Sequence, residues 1–350
     1  NIEPVYLHPE IDEEYGITGA INPEEVKRLL AETPEAEAVI LPSPNYYGIC
    51  SDIEAIAEVV HNAGKILIVD QAHGAHLHFF HKYGTGDDMP ESAEMSGADI
   101  VVGSTHKTLA SLTQSAILNL CSDRVDRYVL EDKLQAVQST SPSYVLMASL
   151  DINAEILEKH GQQLMNKWRE NLDRLYIEAA NIKGLNIMKT DMMDDTKINL
   201  DMGAYGITGG QLEKLLMEKN IYTELNTGDI LMCMTGIGNT RSDLEKLLKA
   251  LEEISAEYGT AEKSKTQRNV VIPKGGRMHP VPKYKEFVKL EDAAGRVCAG
   301  SIIPYPPGIP FVCPGEEISG ETCAYIKALR DDGEKVIGVN DKGQVLVGRE

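Results

Sequence analysis

The stretch Ile66-Leu67-Ile68-Val69-Asp70-Gln71-Ala72-His73-Gly74-Ala75-His76 decides how the chain is read. Four apolar residues in a row, without alternation, predict a strand buried on both faces, as in a parallel sheet covered by helices. An aspartate stands directly at its carboxyl end, the edge where open α/β sheets bind ligands. A second segment has the same design. In Val101-Val102-Gly103-Ser104-Thr105-His106-Lys107-Thr108 a lysine follows the end of a buried strand, 37 residues after the aspartate.

Working outward, AVIL (38–41), ending at Pro42, ADIVVGS (98–104) and SAILNL (115–120) add strands. Before them INPEEVKRLLAE (21–32) predicts a helix, with Asn22 as cap, Pro23 at the first helical position and Glu25 completing a capping box. Ser51 is expected to cap a second helix with Ile53, Ile56, Ala57 and Val60 on one face and Gly64 as its stop. The β-α-β-α-β order predicts a parallel or mostly parallel α/β sheet.

From Ser141-Pro142 the pattern changes to a long helical stretch towards Ile182, interrupted at Gly161. KINLDM (197–202), TGGQLEKLLMEKN (208–220), IYTELN (221–226), ILMCMTG (230–236) and TRSDLEKLLKALEEISAEYG (240–259) then spell β-α-β-β-α, a small α+β domain whose last helix is capped by Thr240 or Ser242. Residues 260–275 are polar and lysine-rich, a linker. The Pro- and Gly-rich IIPYPPGIPFVCPGEE (302–317) excludes a regular helix or central strand. GEKVIGVNDKGQVLVG (333–348) predicts a hairpin turning at 340–343.

The chain has 350 residues, enough for two or three packed units. Its 34 Lys plus Arg against 54 Asp plus Glu leave a net charge of −20, which argues against nucleic acid or an anionic membrane as partner. No apolar run reaches membrane-spanning length, and NIEPVYLHPE, without a basic n-region or an apolar h-region, is not expected to be a signal peptide. The six cysteines form no C-x-x-C pair, so scattered reduced thiols and a cytoplasmic location are expected. His73, His76, His78 and His81 make an H-x-x-H-x-H-x-x-H pattern, but without H-E-x-x-H order or a nearby cysteine no metal site is expected, and His78 and His81 read as surface loop histidines.

Asp70 and Lys107 together suit pyridoxal 5'-phosphate. A lysine amine can capture the cofactor aldehyde, and a carboxylate facing the pyridine nitrogen keeps it protonated, so that the ring draws electrons. Ala72 is small enough to let a ring lie close to the backbone, and Ser104 and His106 are placed to touch the phosphate or the lysine.

D-x-A-H-G-A-H followed by S-T-H-K-T-L-x-x-L-T-Q resembles the bacterial ornithine/lysine/arginine decarboxylases, pyridoxal-phosphate enzymes of the aspartate-aminotransferase fold. The likeness extends to Pro42-Ser43-Pro44-Asn45-Tyr46-Tyr47-Gly48, to Ser139-Thr140-Ser141-Pro142, and to Tyr305-Pro306-Pro307-Gly308-Ile309-Pro310 with Pro314-Gly315-Glu316. It implies that Lys107 is the Schiff-base lysine, that Asp70 pairs with the pyridine nitrogen, that Ala72 and His73 lie against or beside the ring, and that Ser104 and His106 contact cofactor or phosphate. It also implies that Ser139 or Thr140 reaches the phosphate of a partner subunit, giving a homodimer or higher homo-oligomer. Lys107 or His106 then returns a proton to Cα. The 305–310 run is placed near the active-site mouth, and Glu316 is a candidate to face a cationic substrate side chain. Arg241, Arg277 and Arg296 could each hold a substrate carboxylate, without a choice among them. Gln71 and Ser111 depart from the family pattern without removing a catalytic group.

The implied fold class is α/β: an incomplete, mostly parallel three-layer pyridoxal-phosphate-transferase large domain (1–150), a small α+β domain with its bridging helix (151–260) and a C-terminal α+β region (261–350). The word incomplete reflects the 69 residues before Asp70, fewer than the family carries and without a Gly/Ser-rich phosphate loop, so the chain alone is expected to hold half a cofactor site. The implied reaction is decarboxylation of arginine, lysine or ornithine to the corresponding amine, in polyamine metabolism. Two other readings stand beside it, another enzyme of the same fold type such as an aminotransferase, and a catalytically silent oligomerising fragment.

Overall fold

The computed structural model describes residues 4–259, 273, 275–305, 310–331 and 335–349. They fall into two compact units, one in Asn1–Thr266 and one in Gln267–Glu350.

The first unit opens on a short antiparallel pair, β1 (Ile11–Asp12) and β2 (Ile17–Thr18). Helix α1 (Pro23–Glu32) starts as expected, with the Asn22 side chain accepting the Glu24 N–H and proline in the first turn. The capping box does not form, because the Glu25 carboxylate is drawn to the Arg28 guanidinium at 2.6 Å instead of back to the cap. Strand β3 (Ala38–Pro42) leads to α2 (Ile53–Asn62). This helix is capped by Asp52, which accepts the Ala55 N–H, and not by Ser51. The Ser51 hydroxyl is spent on the Ile21 N–H, tying the entrances of α1 and α2 together. Ile53, Ile56, Ala57 and Val60 are buried as the periodicity requires.

Strand β4 (Ile66–Asp70), α3 (Leu77–Lys82), β5 (Ile100–Gly103), the single turn α4 (Thr105–Thr108) and β6 (Ile117–Leu120) complete a sheet of order β3-β4-β5-β6. The first three strands are parallel and β6 runs antiparallel to β5. Pro42 pairs with Asp70 and Asp70 with Val102, so the carboxyl ends lie level.

Helix α5 (Arg127–Val137), not anticipated from the sequence, buries none of its residues. Helix α6 (Tyr144–Ala179) then runs 36 residues unbroken, about 54 Å at ~1.5 Å per residue. Gly161 does not interrupt it. A Cβ there would lie 2.4 Å from the Tyr83 hydroxyl, so the glycine is a notch that admits the Tyr83 ring, whose hydroxyl donates to the Leu157 carbonyl.

The antiparallel sheet that follows has order β7-β8-β10-β9, from β7 (Asn186–Met188), β8 (Lys197–Asp201), β9 (Leu225–Thr227) and β10 (Ile230–Met234). Helix α7 (Gly209–Glu218) lies between β8 and β9, and α8 (Arg241–Tyr258) follows β10. Thr208 with Gln211, and Thr240 with Asp243, form capping boxes. Strand β7 was not expected, and IYTELN is a strand only at its end. Ile198 and Leu200 of β8 join Trp168, Leu172 and Leu175 of α6 and Leu247 and Leu251 of α8 in the largest core. The alternate residues of β8, Lys197, Asn199 and Asp201, are equally buried.

The second unit comprises β11 (Lys285–Lys289), β12 (Ile303–Tyr305), α9 (Gly320–Asp331), β13 (Lys335–Ile337) and β14 (Gln344–Gly348) around Ile302, Ile318, Ile326, Val345 and Val347. The turn at 340–343 forms, held by Asn340 Oδ1 accepting from the N–H groups of Lys342 and Gln344. The expected hairpin does not extend from it. Its arms pair elsewhere, β13 with β12 and β14 with β11, leaving one bridge between Val339 and Val345. The tip of the proline run, 306–309, and the linker at 260–272 lie outside the described residues.

Gly161→Ala tests the notch. Helix propensity favours alanine by about 1 kcal/mol, whereas overpacking costs about 1–3 kcal/mol. Denaturant unfolding should show a net loss of up to about 2 kcal/mol in the wild-type background and a gain when Tyr83 is also replaced by alanine. A gain in both backgrounds would reject the packing account.

Candidate active site

The level ends of β3, β4 and β5 give one rim from which three turns project. Asp70 ends β4 with its side chain exposed, and its Oδ1 accepts the Ala72 N–H at 3.0 Å. Gln71 turns inward, donating to Glu94 and accepting the Ala93 N–H, which fixes the direction of the loop. Gly74 follows where a Cβ would sit 2.5 Å from Pro44, so only glycine lets this turn close against the turn after β3.

That turn swings His73 inward, where its Nε2 meets Lys107 Nζ at 2.8 Å. Lys107 rides on α4 directly after β5. The Tyr46 ring, from the turn after β3, lies 4.4 Å from the His73 ring between centroids, and Lys107 Nζ is 5.7 Å from the Tyr46 centroid. Ala72 is partly buried between Asp70 and His73. Ser104 stands at the α4 N-terminus without making a capping bond. His106 Nδ1 meets the Ser115 carbonyl at 2.8 Å. Ser111 donates to Thr105 Oγ1 and accepts from Ser115, so this departure from the family pattern is absorbed by a hydroxyl chain under α4.

Burial, then the positive charges of Lys197 and Lys107, push the His73 imidazole down to about 3. Burial also lowers Lys107, opposed by the fields of Asp70 and Glu224. Both groups are therefore biased towards neutrality. His73 Nδ1 is buried with no hydrogen-bond partner among the described residues.

Other expected residues lie elsewhere. Ser139 and Thr140 are exposed between α5 and α6, where Ser139 Oγ accepts the Ser141 N–H; they share no hydrogen bond with Asp70, His73 or Lys107 among the described residues. Glu316, in the second unit, is spent on its own loops, because its two oxygens accept the N–H groups of Gly276 and Cys313 at 2.7 and 2.9 Å. Arg241 pairs with Glu245 and Arg296 with Glu286, whereas the Arg277 side chain is exposed. His78 and His81 are not loop histidines. Both lie in α3, partly buried, and His81 Nε2 reaches the carbonyls of Met89 and Pro90. No group of three or more His, Cys, Asp or Glu among the described residues is arranged to hold a metal.

Three features escaped the sequence reading. Tyr46 lay in a motif noted for its likeness alone. Glu224 sits just before β9, with nothing in the sequence to link it to Lys107. Lys197 and Asp194 form a buried ion pair beneath His73, and the available signal was a lysine at the start of KINLDM, where polar Lys197, Asn199 and Asp201 alternate with apolar Ile198, Leu200 and Met202.

The donor set fits pyridoxal phosphate. A carboxylate and an amine stand at the ends of neighbouring parallel strands, with a small residue and an aromatic pair beside them and a buried imidazole nitrogen still lacking a partner.

A family model described as Orn/Lys/Arg decarboxylase, major domain, matches residues 1–200, and one for the C-terminal domain of the same family matches 247–345. The chain is 34% identical to the arginine decarboxylase of Bacillus subtilis, an alignment covering 97% of this chain and 71% of that protein. It is 33% identical to the arginine decarboxylase of Bacillus anthracis, over 97% and 70%. The solved constitutive lysine decarboxylase of Escherichia coli superposes with a TM-score of 0.77 at 20% identity, covering 99% of this chain and 64% of that one, and so shares its fold. No helix among the described residues is long and apolar enough to cross a membrane.

The lowered histidines make stability depend on pH. Unfolded imidazoles titrate near ~6.5, while burial holds His73 and His76 neutral in the fold. Their contribution is complete above about pH 6.5 and is lost as the pH falls towards their lowered folded values. Urea unfolding between pH 6 and 4.5 should lose about 1.4 kcal/mol per pH unit through His73, with His76 acting in the same direction. His73→Asn should flatten the slope by about one proton, and an unchanged slope would show that His73 is not buried neutral.

Proposed function

Because the chain belongs to the Orn/Lys/Arg decarboxylase family, we propose that it uses Asp70 and Lys107 to hold pyridoxal phosphate and remove the α-carboxylate of a basic amino acid, arginine before lysine or ornithine. The observation that carries this is that Asp70 ends β4 and Lys107 follows the neighbouring β5, whose Val102 pairs with Asp70, with His73 against the amine. The preference for arginine rests on the 34% identity to the Bacillus subtilis arginine decarboxylase, against 23% to the constitutive lysine decarboxylase of Escherichia coli.

When bound, the cofactor supplies an aldehyde to capture the substrate amine and a ring to take up the electrons of the broken bond. Asp70, whose Oδ1 accepts the Ala72 N–H, would hold the ring nitrogen and keep it charged. Ala72 and His73 lie beside the ring. Ser104 and His106 would contact the cofactor or its phosphate, and Ser139 or Thr140 would reach the phosphate of a second copy in a homodimer or higher homo-oligomer. That dimer role is favoured by α5, which buries nothing while exposing Tyr128 and Val137. Lys107 Nζ, lowered by burial, delivers its proton to Cα once carbon dioxide has left. Glu224, whose field already reaches Lys107, faces the cationic end of the substrate. In this scheme residues 1–150 carry the cofactor turns, 151–260 a small domain and 261–350 a C-terminal domain.

The test is release of labelled carbon dioxide from carboxyl-labelled arginine, lysine and ornithine in the presence of pyridoxal phosphate. Arginine should give carbon dioxide and one equivalent of the corresponding amine. Lys107→Ala should abolish turnover, and Asp70→Asn should lower kcat by at least ~10²-fold, the scale of a positioned electrostatic group. Glu224→Gln should raise KM for arginine with little change in kcat. Formation of a keto acid without carbon dioxide would replace this reading with amino transfer.

A further inference from the structure

Beneath the Asp70–Lys107 rim, β8 inserts a charged group into the floor of the same site. The Lys197 side chain is fully buried, and a buried ammonium persists only where it is paired and hydrogen-bonded. Its three donors are all used, on the His73 carbonyl, on Asp194 Oδ2 at 2.7 Å and on Thr196 Oγ1 at 3.2 Å. Asp194, also fully buried, meets His76 Nε2 at 3.0 Å and accepts the Thr196 N–H and hydroxyl through Oδ1. His76 Nδ1 continues to Thr108 Oγ1 at 3.0 Å, one residue beyond Lys107. The turn after β3 closes over the group at Gly48, where a Cβ would lie 2.9 Å from both the Asp194 carbonyl and Lys197 Cβ, at a φ of +89°.

One ionic group thus grips the backbone of the His73 turn and the side chain next to Lys107, and anchors both on the small sheet. We infer that Lys197 and Asp194 are positioning residues for the reactive lysine: through the His73 carbonyl and through His76 to Thr108, they hold the two turns in the arrangement that brings His73 Nε2 to Lys107 Nζ. This rests on the reading of Lys107 given above. The charges balance around the group. Burial alone would raise Asp194, and His76 and Lys197 override it and hold it well below the carboxylate range. Lys197 also depresses His73 and Lys107. Cys50 and Tyr176 are the other titratable groups that feel the Asp194 charge, and burial, with that charge adding, pushes both up; Asp195, raised chiefly by burial, feels it too.

The experiment follows capture of pyridoxal phosphate by Lys107 of the full chain, trapped with borohydride and located by peptide mapping, between pH 6 and 9. The variant is Asp194→Asn with Lys197→Met, which removes both charges together, and its melting temperature reports whether it folds. With the fold retained, capture at Lys107 should slow at least tenfold, and its midpoint should move to higher pH because the depressing charge of Lys197 is gone. A folded variant with wild-type rate and midpoint overturns the inference. If the wild-type chain itself is not labelled at Lys107, the cofactor reading fails instead. Imidazole NMR of the wild-type chain decides the clamp in that case, and also if the variant does not fold. His73 should then keep one neutral tautomer from pH 8 to 5, and titration near its ordinary value overturns the inference.

Discussion

Asp70 is paired in register with Pro42 on one side and Val102 on the other, and the chemistry of the rim hangs on that alignment. Strands lie about 4.8 Å apart, so level carboxyl ends place the turns after β3, β4 and β5 side by side. Tyr46, His73 and Lys107 can then meet although 61 residues of chain separate the first from the last. A slip of one residue would turn the side chains of the strand to the opposite face. The buried Leu67 and Val69, both fully enclosed, forbid it, because exposing two such side chains costs about 3–6 kcal/mol. The apolar run that makes the strand is also what aims the carboxylate.

A second constraint runs at right angles to the first. The parallel sheet sets where the turns begin, but turns have freedom of their own, and the fold removes it with charge. Breaking a buried ion pair by deleting one partner costs about 3–5 kcal/mol. The Lys197–Asp194 pair, with both side chains fully buried, therefore acts as a stiff tie where an exposed pair would not. Exposed pairs such as Lys27–Glu24 or Arg127–Glu131 are screened by water and contribute little. The many surface ion pairs of this acidic chain tune its helices, and the few buried charges shape its site.

The sequence made the strands, and the places of Asp70 and Lys107 at and just beyond their ends, legible for a local reason. Continuous apolar runs, and a polar residue just beyond each, need no knowledge of the rest of the chain. Helix ends were less legible because neighbouring acceptors compete. Ser51 and Asp52 are both capping residues, and only the position of Ile21, 30 residues earlier, settles which one caps. Gly161 misled because a glycine inside a helix can mark a break or a close approach, and the Tyr83 ring that decides it comes from another element. The turn at 340–343 was written in Asn340 and Gly343, but the partners of its arms were not, since β13 and β14 each find a more distant strand. The same limit hid Lys197 and Tyr46, whose meaning comes from contacts across 124 residues with His73 and 61 with Lys107.

The proton economy of the rim follows from these burials. On the reading proposed above, one proton must reach Cα each time a carboxylate leaves, and a useful donor titrates not far from the working pH. His73 is pushed down to about 3 and so holds no proton to give. Its neutral Nε2 serves better as a dock for the amine it touches. Lys107 is the complementary case. Burial makes it a stronger acid than an ordinary lysine, against the opposing fields of Asp70 and Glu224. The imidazole thus steadies the amine in one position, and the amine carries the proton.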